Sequence, residues 1–228
     1  LGAGQTDDAC SCPLGWVLVD GACSPASDSL LLLDAASHAS YPGTGDSWID
    51  LSGRGNHGTL KNGVTYLAAS GGTFGFDGTD DFVRLATQPL PTSNFTITAF
   101  VRGDSFSYIG RFRRIMAIDA TGGNENPFCL FVQNGGKLGY VFGTGTSNVD
   151  AQVPLVNSPV LATGIWYFVA LTFDGVSKRL YVDGTLRATV NNSKTFTNPR
   201  ANSLLLGTYG IHTEGGYWDG EIAFIEIL

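Results

Sequence analysis

Of 228 residues, 31 are Gly and only 14% carry a charged side chain, while apolar residues reach 43% and aromatics 11%; a typical chain is about 25% charged. The glycines keep no three-residue period, which excludes collagen, and the apolar and aromatic content excludes a disordered chain and supplies a substantial core. A net charge of −7 argues against nucleic acid, which requires a basic stripe to displace counterions, and against anionic membrane surfaces, and no apolar run approaches the roughly 18 residues needed for membrane insertion.

The chain opens without Met or a signal peptide, as a processed protein or an excised piece does. Three of its four cysteines fall in the first 23 residues, in Cys10-Ser-Cys12-Pro-Leu-Gly15-Trp16, six further residues, then Cys23. Cys-x-Cys with one more Cys and no nearby His is a poor zinc set. Disulfides fit better, since a short polar segment cannot bury enough surface without a cross-link. The pattern resembles the closing half of an EGF-like module. That resemblance implies a Cys12–Cys23 bridge and an upstream partner for Cys10; here Cys10 either bridges to the remaining cysteine, Cys129, or has lost its partner with a removed segment. An extracellular setting follows. The Asn94-Phe95-Thr96 and Asn191-Asn192-Ser193 triplets agree with it as glycosylation acceptors. The division expected is an EGF-like remnant over 1–26 and a main domain over 27–228.

From Ser29 onward, short apolar or alternating runs are broken by Gly, Asn and Asp. Strands are predicted at 30–34, 73–76, 82–85, 95–101, 114–119, 128–133, 137–142, 166–173, 178–182, 185–190, 204–207 and 221–228. No stretch keeps a helical period for three turns. Twelve short strands at this spacing predict an all-β fold, a two-sheet antiparallel sandwich of jelly-roll type. Asp174-Gly175 and Asp183-Gly184 each sit between alternating runs and mark hairpin turns.

The opening Leu32-Leu-Asp34 to Tyr41, Trp48-Ile-Asp50, Asn56-His-Gly58 and Phe76-Asp77-Gly78-Thr-Asp80-Asp81-Phe82, with the hairpins at Asp174 and Asp183 and the closing Tyr217-Trp218-Asp219-Gly220-Glu221-Ile222, resembles a laminin-G-like domain of the concanavalin A-type superfamily. The resemblance implies two antiparallel sheets, binding of glycans or glycoproteins, and often a calcium ion; a minority of relatives cleave glycans. Many relatives read Ile-Asp-Glu-Val on the closing strand with the Asp facing the ion, where this chain has Ala223. That leaves backbone carbonyls and Asp34, Asp77 or Asp219 to compensate.

Glycoside hydrolysis needs two carboxylates on one face, which a strand provides at a spacing of two. Asp219 and Glu221 are the sole such pair among twenty acids, and they lie at the wrong place for the family's motif, so an enzyme is not expected. His38, His57 and His212 sit in no nucleophile signature. Two segments carry binding chemistry. Asp119-Ala-Thr-Gly-Gly-Asn124-Glu125-Asn126 offers a calcium or sugar loop, and Tyr209-Gly-Ile-His212 through Tyr217-Trp218-Asp219 offers an aromatic platform. Calcium is expected at Asp119 and Asp219, sugar at Asn124, Glu125, Asn126, Tyr209, His212, Tyr217 and Trp218, and both at one site if the segments share a rim. Arg111-Phe-Arg113-Arg114 reads as a half-buried strand or a contact for acidic glycans. The function expected is extracellular glycan binding and adhesion without catalysis. The alternative is a building block of a filament or virion appendage, contacting copies of itself or other chains.

Overall fold

The structure, a computed structural model, describes residues 28–107, 112–118, 127–143, 160–196, 203–209 and 216–228, together with the backbone of 16–19, 22–25 and 148–152. Its strands in chain order are β1 (Trp16–Val19), β2 (Ala22–Pro25), β3 (Leu31–Asp34), β4 (Ser47–Trp48), β5 (Gly58–Lys61), β6 (Thr65–Leu67), β7 (Thr73–Asp77), β8 (Phe82–Leu85), β9 (Phe95–Gly103), β10 (Phe112–Ile118), β11 (Phe128–Gln133), β12 (Lys137–Gly143), β13 (Asn148–Gln152), β14 (Trp166–Phe173), β15 (Ser177–Val182), β16 (Thr185–Asn191), β17 (Leu204–Leu206) and β18 (Asp219–Ile227).

β1 and β2 form a separate hairpin. The others make two antiparallel sheets. One runs β13-β12-β11-β10-β17-β8-β5-β4, the other β16-β15-β14-β9-β18-β7-β6, with β3 also paired to β18. Side chains alternate across each strand, and the sequence uses that alternation to fill the space between the sheets. Ile97, Ala99 and Val101 of β9 meet Leu130 and Val132 of β11 and Ile222 and Ile225 of β18 in one continuous core. Each such fully buried aliphatic contributes on the order of 1.5–3 kcal/mol. Trp48 and Tyr41 pack on Phe74 with ring centroids 4.6 Å and 4.8 Å away, so both serve the core beneath the Pro42–Gly45 turn, where Tyr41 Oη donates to the Gly45 carbonyl at 2.8 Å.

The predicted hairpins form. Val182 pairs with Thr185, leaving Asp183 and Gly184 as a two-residue turn with φ of 50° and 72°, the left-handed pair that such a turn requires. At Asp174 the turn is longer, because Phe173 pairs with Lys178; the Asp174 carboxylate accepts from the Val176 and Ser177 N–H groups. β1, β2, β4, β5, β6 and β13 fall outside the predicted strands: each is only two to five residues long, too short for an alternating pattern to register.

Candidate functional site

The closing turn before β18 is built around Arg113. Its residue is only 7% exposed, and its guanidinium donates to the Gly78 carbonyl at 3.0 Å, the Tyr217 carbonyl at 2.8 Å and the Ser107 carbonyl at 2.9 Å. It also lies 3.5 Å from Asp219 Oδ2. Burial raises the Asp219 carboxyl, with Arg113 opposing and Asp104 and Asp77 adding to the rise. Gly78, at φ 74°, permits this close approach, since a Cβ there would sit 2.8 Å from the Asp219 side chain. Calcium was expected at Asp219. There the Asp219 carboxylate instead faces the Arg113 guanidinium, whose positive charge opposes a second cation at the same oxygens.

A different acidic group forms across the β7–β8 turn. Asp77, Asp80 and Asp81 each offer an oxygen within 4.8 Å of the others. On a strand Asp80 and Asp81 would point to opposite faces, but both lie in the turn, where Asp77 Oδ1 accepts from the Thr79 and Asp80 N–H groups and Asp81 Oδ2 from the Asp77 N–H. Asp81 is raised, chiefly by burial, against the lowering pull of the hydrogen bond from the Asp77 N–H, with the Asp77 and Asp80 charges adding to the rise.

Of the expected aromatic platform, Trp218 is a correction. It is fully buried in the intersheet core beside Phe106, so it cannot present a face to a ligand. Tyr217 is half-buried and its carbonyl serves Arg113. Tyr209 is half-buried against the outer face of the sheet that contains β10, β11 and β12. Asp119, Asn124, Glu125, Asn126 and His212 lie outside the described residues, as do Cys10 and Cys12; of Cys23 only the backbone is described. Ile118 pairs with Leu204, whereas Gly207 and Gly216 bond to Ile115 and Arg114 nearer the other end of β10. Cys129 is a free, buried thiol, which corrects its place in the expected disulfide set. It packs with Ala117, Phe131 and Val141, and burial pushes it up to about 11 against the opposing pull of Arg114. Asn94 and Asn191 are both exposed, Asn94 at φ 55°.

The outer face of the other sheet carries aromatics that sequence reasoning missed. Phe100 and Phe168 are cross-strand partners, 37% and 39% exposed. Trp166 stacks on Phe100 at 4.8 Å with an interplanar angle of 22°, and Phe224 pairs with Phe100 from β18. Beside Trp166, Arg102 holds Asp104 at 2.8 Å and Glu221 at 3.1 Å. The signal was present: in β9 the core phase is Phe95, Ile97, Ala99 and Val101, so Phe100 falls on the phase shared by Thr96, Thr98 and Arg102, where a polar residue belongs.

Residues 77–228 match the laminin-G family profile of the concanavalin A-like lectin/glucanases superfamily, and the chain belongs to that family. No curated protein matches it in sequence. Among solved structures it is similar to the botulinum neurotoxin serotype D binding domain, with 14% identity and a TM-score of 0.61 over 88% of this chain and 48% of that one. It is also similar to domain 4 of AbnA, a GH43 extracellular arabinanase from Geobacillus stearothermophilus in complex with arabinotriose, with 12% identity and a TM-score of 0.61 over 87% and 91%. Trypanosoma rangeli sialidase matches with 13% identity and a TM-score of 0.61 over 90% of this chain and 31% of that one. At these identities the likeness shows the fold alone. Among the described residues no helix is long and apolar enough to cross a membrane.

Proposed function

We propose that the chain is an extracellular, non-catalytic glycan-binding domain that receives the apolar face of a sugar on the Phe100, Trp166 and Phe168 row. The supporting observation is the row itself. Large aromatics exposed side by side on a sheet face are costly in water and mark an interaction surface. A stacked pair with a charged edge at Arg102 and Asp104 combines the apolar plate and the hydroxyl partners that sugars require. Domain 4 of the arabinanase, similar in fold over most of its length, was solved with arabinotriose, which favours a sugar as the ligand class.

Catalysis is left out of this reading because the two closely spaced carboxylates are separately engaged. Asp219 faces Arg113, while Glu221, 4% exposed, is held by Arg102 and by the Thr73 hydroxyl at 2.5 Å. Neither is free to flank a glycosidic bond. Calcium enters only at Asp77, Asp80 and Asp81, whose hard oxygens suit it and where it would brace the β7–β8 turn. The competing reading, a building block contacting copies of itself, uses the same aromatic row as a protein contact. A glycan array with the intact chain and with Trp166→Ala, run beside sedimentation at rising concentration, separates the two. Saturable glycan binding lost in the variant supports the lectin; self-association with no glycan bound supports the building block.

A further inference from the structure

The Asn94-Phe95-Thr96 triplet has no part in the aromatic row, and the fold gives it a setting of its own. Asn94 is exposed on the turn entering β9, at φ 55°. Two residues on, Thr96 faces Thr172 of β14, and Thr172 faces Arg179 of β15. Directly opposed residues share a face, so these three side chains stand in a row across the outer face of the sheet. Together with Asn94, Asp174 and Leu228 they line an open concavity of about 430 Å³. Small-ligand sites run from about 300 to 1,000 Å³.

The lining has the mixed chemistry that a sugar requires. Two threonine hydroxyls and the Asp174–Arg179 pair, 2.7 Å apart, offer donors and acceptors, while the Leu228 side chain, 43% exposed, offers an apolar contact. The Asn94 carboxamide lies against the turn that borders this space. Gly175, at φ 83°, makes that approach possible, since a Cβ there would sit 3.2 Å from Asn94 Oδ1. Asn191 lines no part of the concavity, and its Oδ1 accepts from Ser177 Oγ at 2.9 Å.

We propose that Asn94 carries an N-linked glycan whose first N-acetylglucosamine lies in this concavity and ties β9, β14 and β15 together. In the attachment step Asn94 Nδ2 forms a bond to C1 of the N-acetylglucosamine of a lipid-linked oligosaccharide diphosphate. The C1–O bond breaks, the lipid diphosphate leaves with the electron pair, and the nitrogen gives one proton to a base of the transferase. Thr96 completes the acceptor triplet. Once attached, the sugar is held over the site at an effective concentration on the order of millimolar, so contacts too weak to capture free sugar suffice. That the chain meets the transferase rests on the extracellular reading; the seat rests on its own geometry. It lies at the Phe95–Phe173 end of the β9–β14 pair, whereas Trp166 lies at the Arg102 end, so the two sites are separable.

The test uses the whole 228-residue chain with Asn191→Gln, secreted from a eukaryotic cell behind an added signal peptide. Its glycan is left whole, trimmed to one N-acetylglucosamine by an endoglycosidase, or removed by an amidase. Mass spectrometry should find Asn94 occupied. The whole and trimmed forms should share one Tm and the bare form should fall about 2–4 °C below them, the scale of one lost hydrogen bond in a chain of this size. Thr172→Val should keep the occupancy and shrink that difference. An unoccupied Asn94 overturns the proposal, and so does a trimmed form that unfolds with the bare one; neither arm depends on Thr172→Val folding. A difference undiminished in folded Thr172→Val also overturns the seat, because it assigns the shift to the aspartate that the amidase leaves. A seated Asn94 glycan in a chain that binds no sugar at Trp166 keeps this site and removes the aromatic-row reading.

Discussion

Replacing Arg113 with Met keeps the aliphatic stem packed and deletes the guanidinium. Three carbonyls, of Gly78, Ser107 and Tyr217, then lose their donor, and Asp219 loses its counter-charge. Breaking a buried pair costs about 3–5 kcal/mol. The Asp219 side chain is 27% exposed, so water recovers part of that, and about 3 kcal/mol is expected. In a domain of this size that lowers Tm by about 6–12 °C. Urea unfolding followed by tryptophan fluorescence reads the change, and Arg179→Met, which breaks the exposed pair with Asp174, serves as the control with little effect. A loss below about 1 kcal/mol for Arg113→Met would refute the view that this arginine, and not a metal ion, organises the turn before β18.

Three further outcomes are expected. The Arg179 guanidinium, with the Ser177 and Val176 N–H groups, holds the exposed Asp174 carboxyl down at about 2; its contribution to stability is complete above the unfolded value of about 3.9 and fades as pH falls towards 2. A carboxyl titration by NMR should give a midpoint near 2, and a midpoint at the ordinary value contradicts the turn geometry. Cys129, buried and pushed up to about 11, should resist a thiol reagent at pH 8 until denaturant is added; a Cys129→Ser control assigns the signal, and labelling of the native chain contradicts its burial. If calcium braces Asp77, Asp80 and Asp81, EDTA lowers Tm and Asp80→Asn abolishes the difference, the shift growing with free calcium by mass action; an identical Tm in EDTA and calcium removes the ion from the account.

The strands of the sandwich were legible because each buries one face, and burial imposes a two-residue period: β9, β14 and β18 stand out on Val, Ile, Leu and Phe at alternate positions. The Asp-Gly turns were equally readable, since positive φ leaves few residue types. The site was less so. Trp218 looked like a sugar platform because glycines and aromatics crowd that stretch, yet Gly216 serves the chain's close approach to Arg114 and Gly220 its close approach to the Arg102 and Gly103 backbone, and the indole turns inward. Asp219 looked like a calcium ligand because nothing in a linear pattern reveals that a residue 106 positions away, Arg113, arrives as its partner. Phe100, Trp166 and Phe168 could have been found by asking which aromatics occupy the polar phase of a strand.

The most direct test of the glycan-binding account compares Trp166→Ala with Trp218→Ala in one binding and unfolding experiment. Truncating Trp166, on the exposed row, should weaken sugar affinity at least tenfold, or about 1.4 kcal/mol, with little change in unfolding. Truncating Trp218, in the core, should cost about 3–5 kcal/mol of stability. Unchanged sugar affinity in folded Trp166→Ala would contradict the central claim.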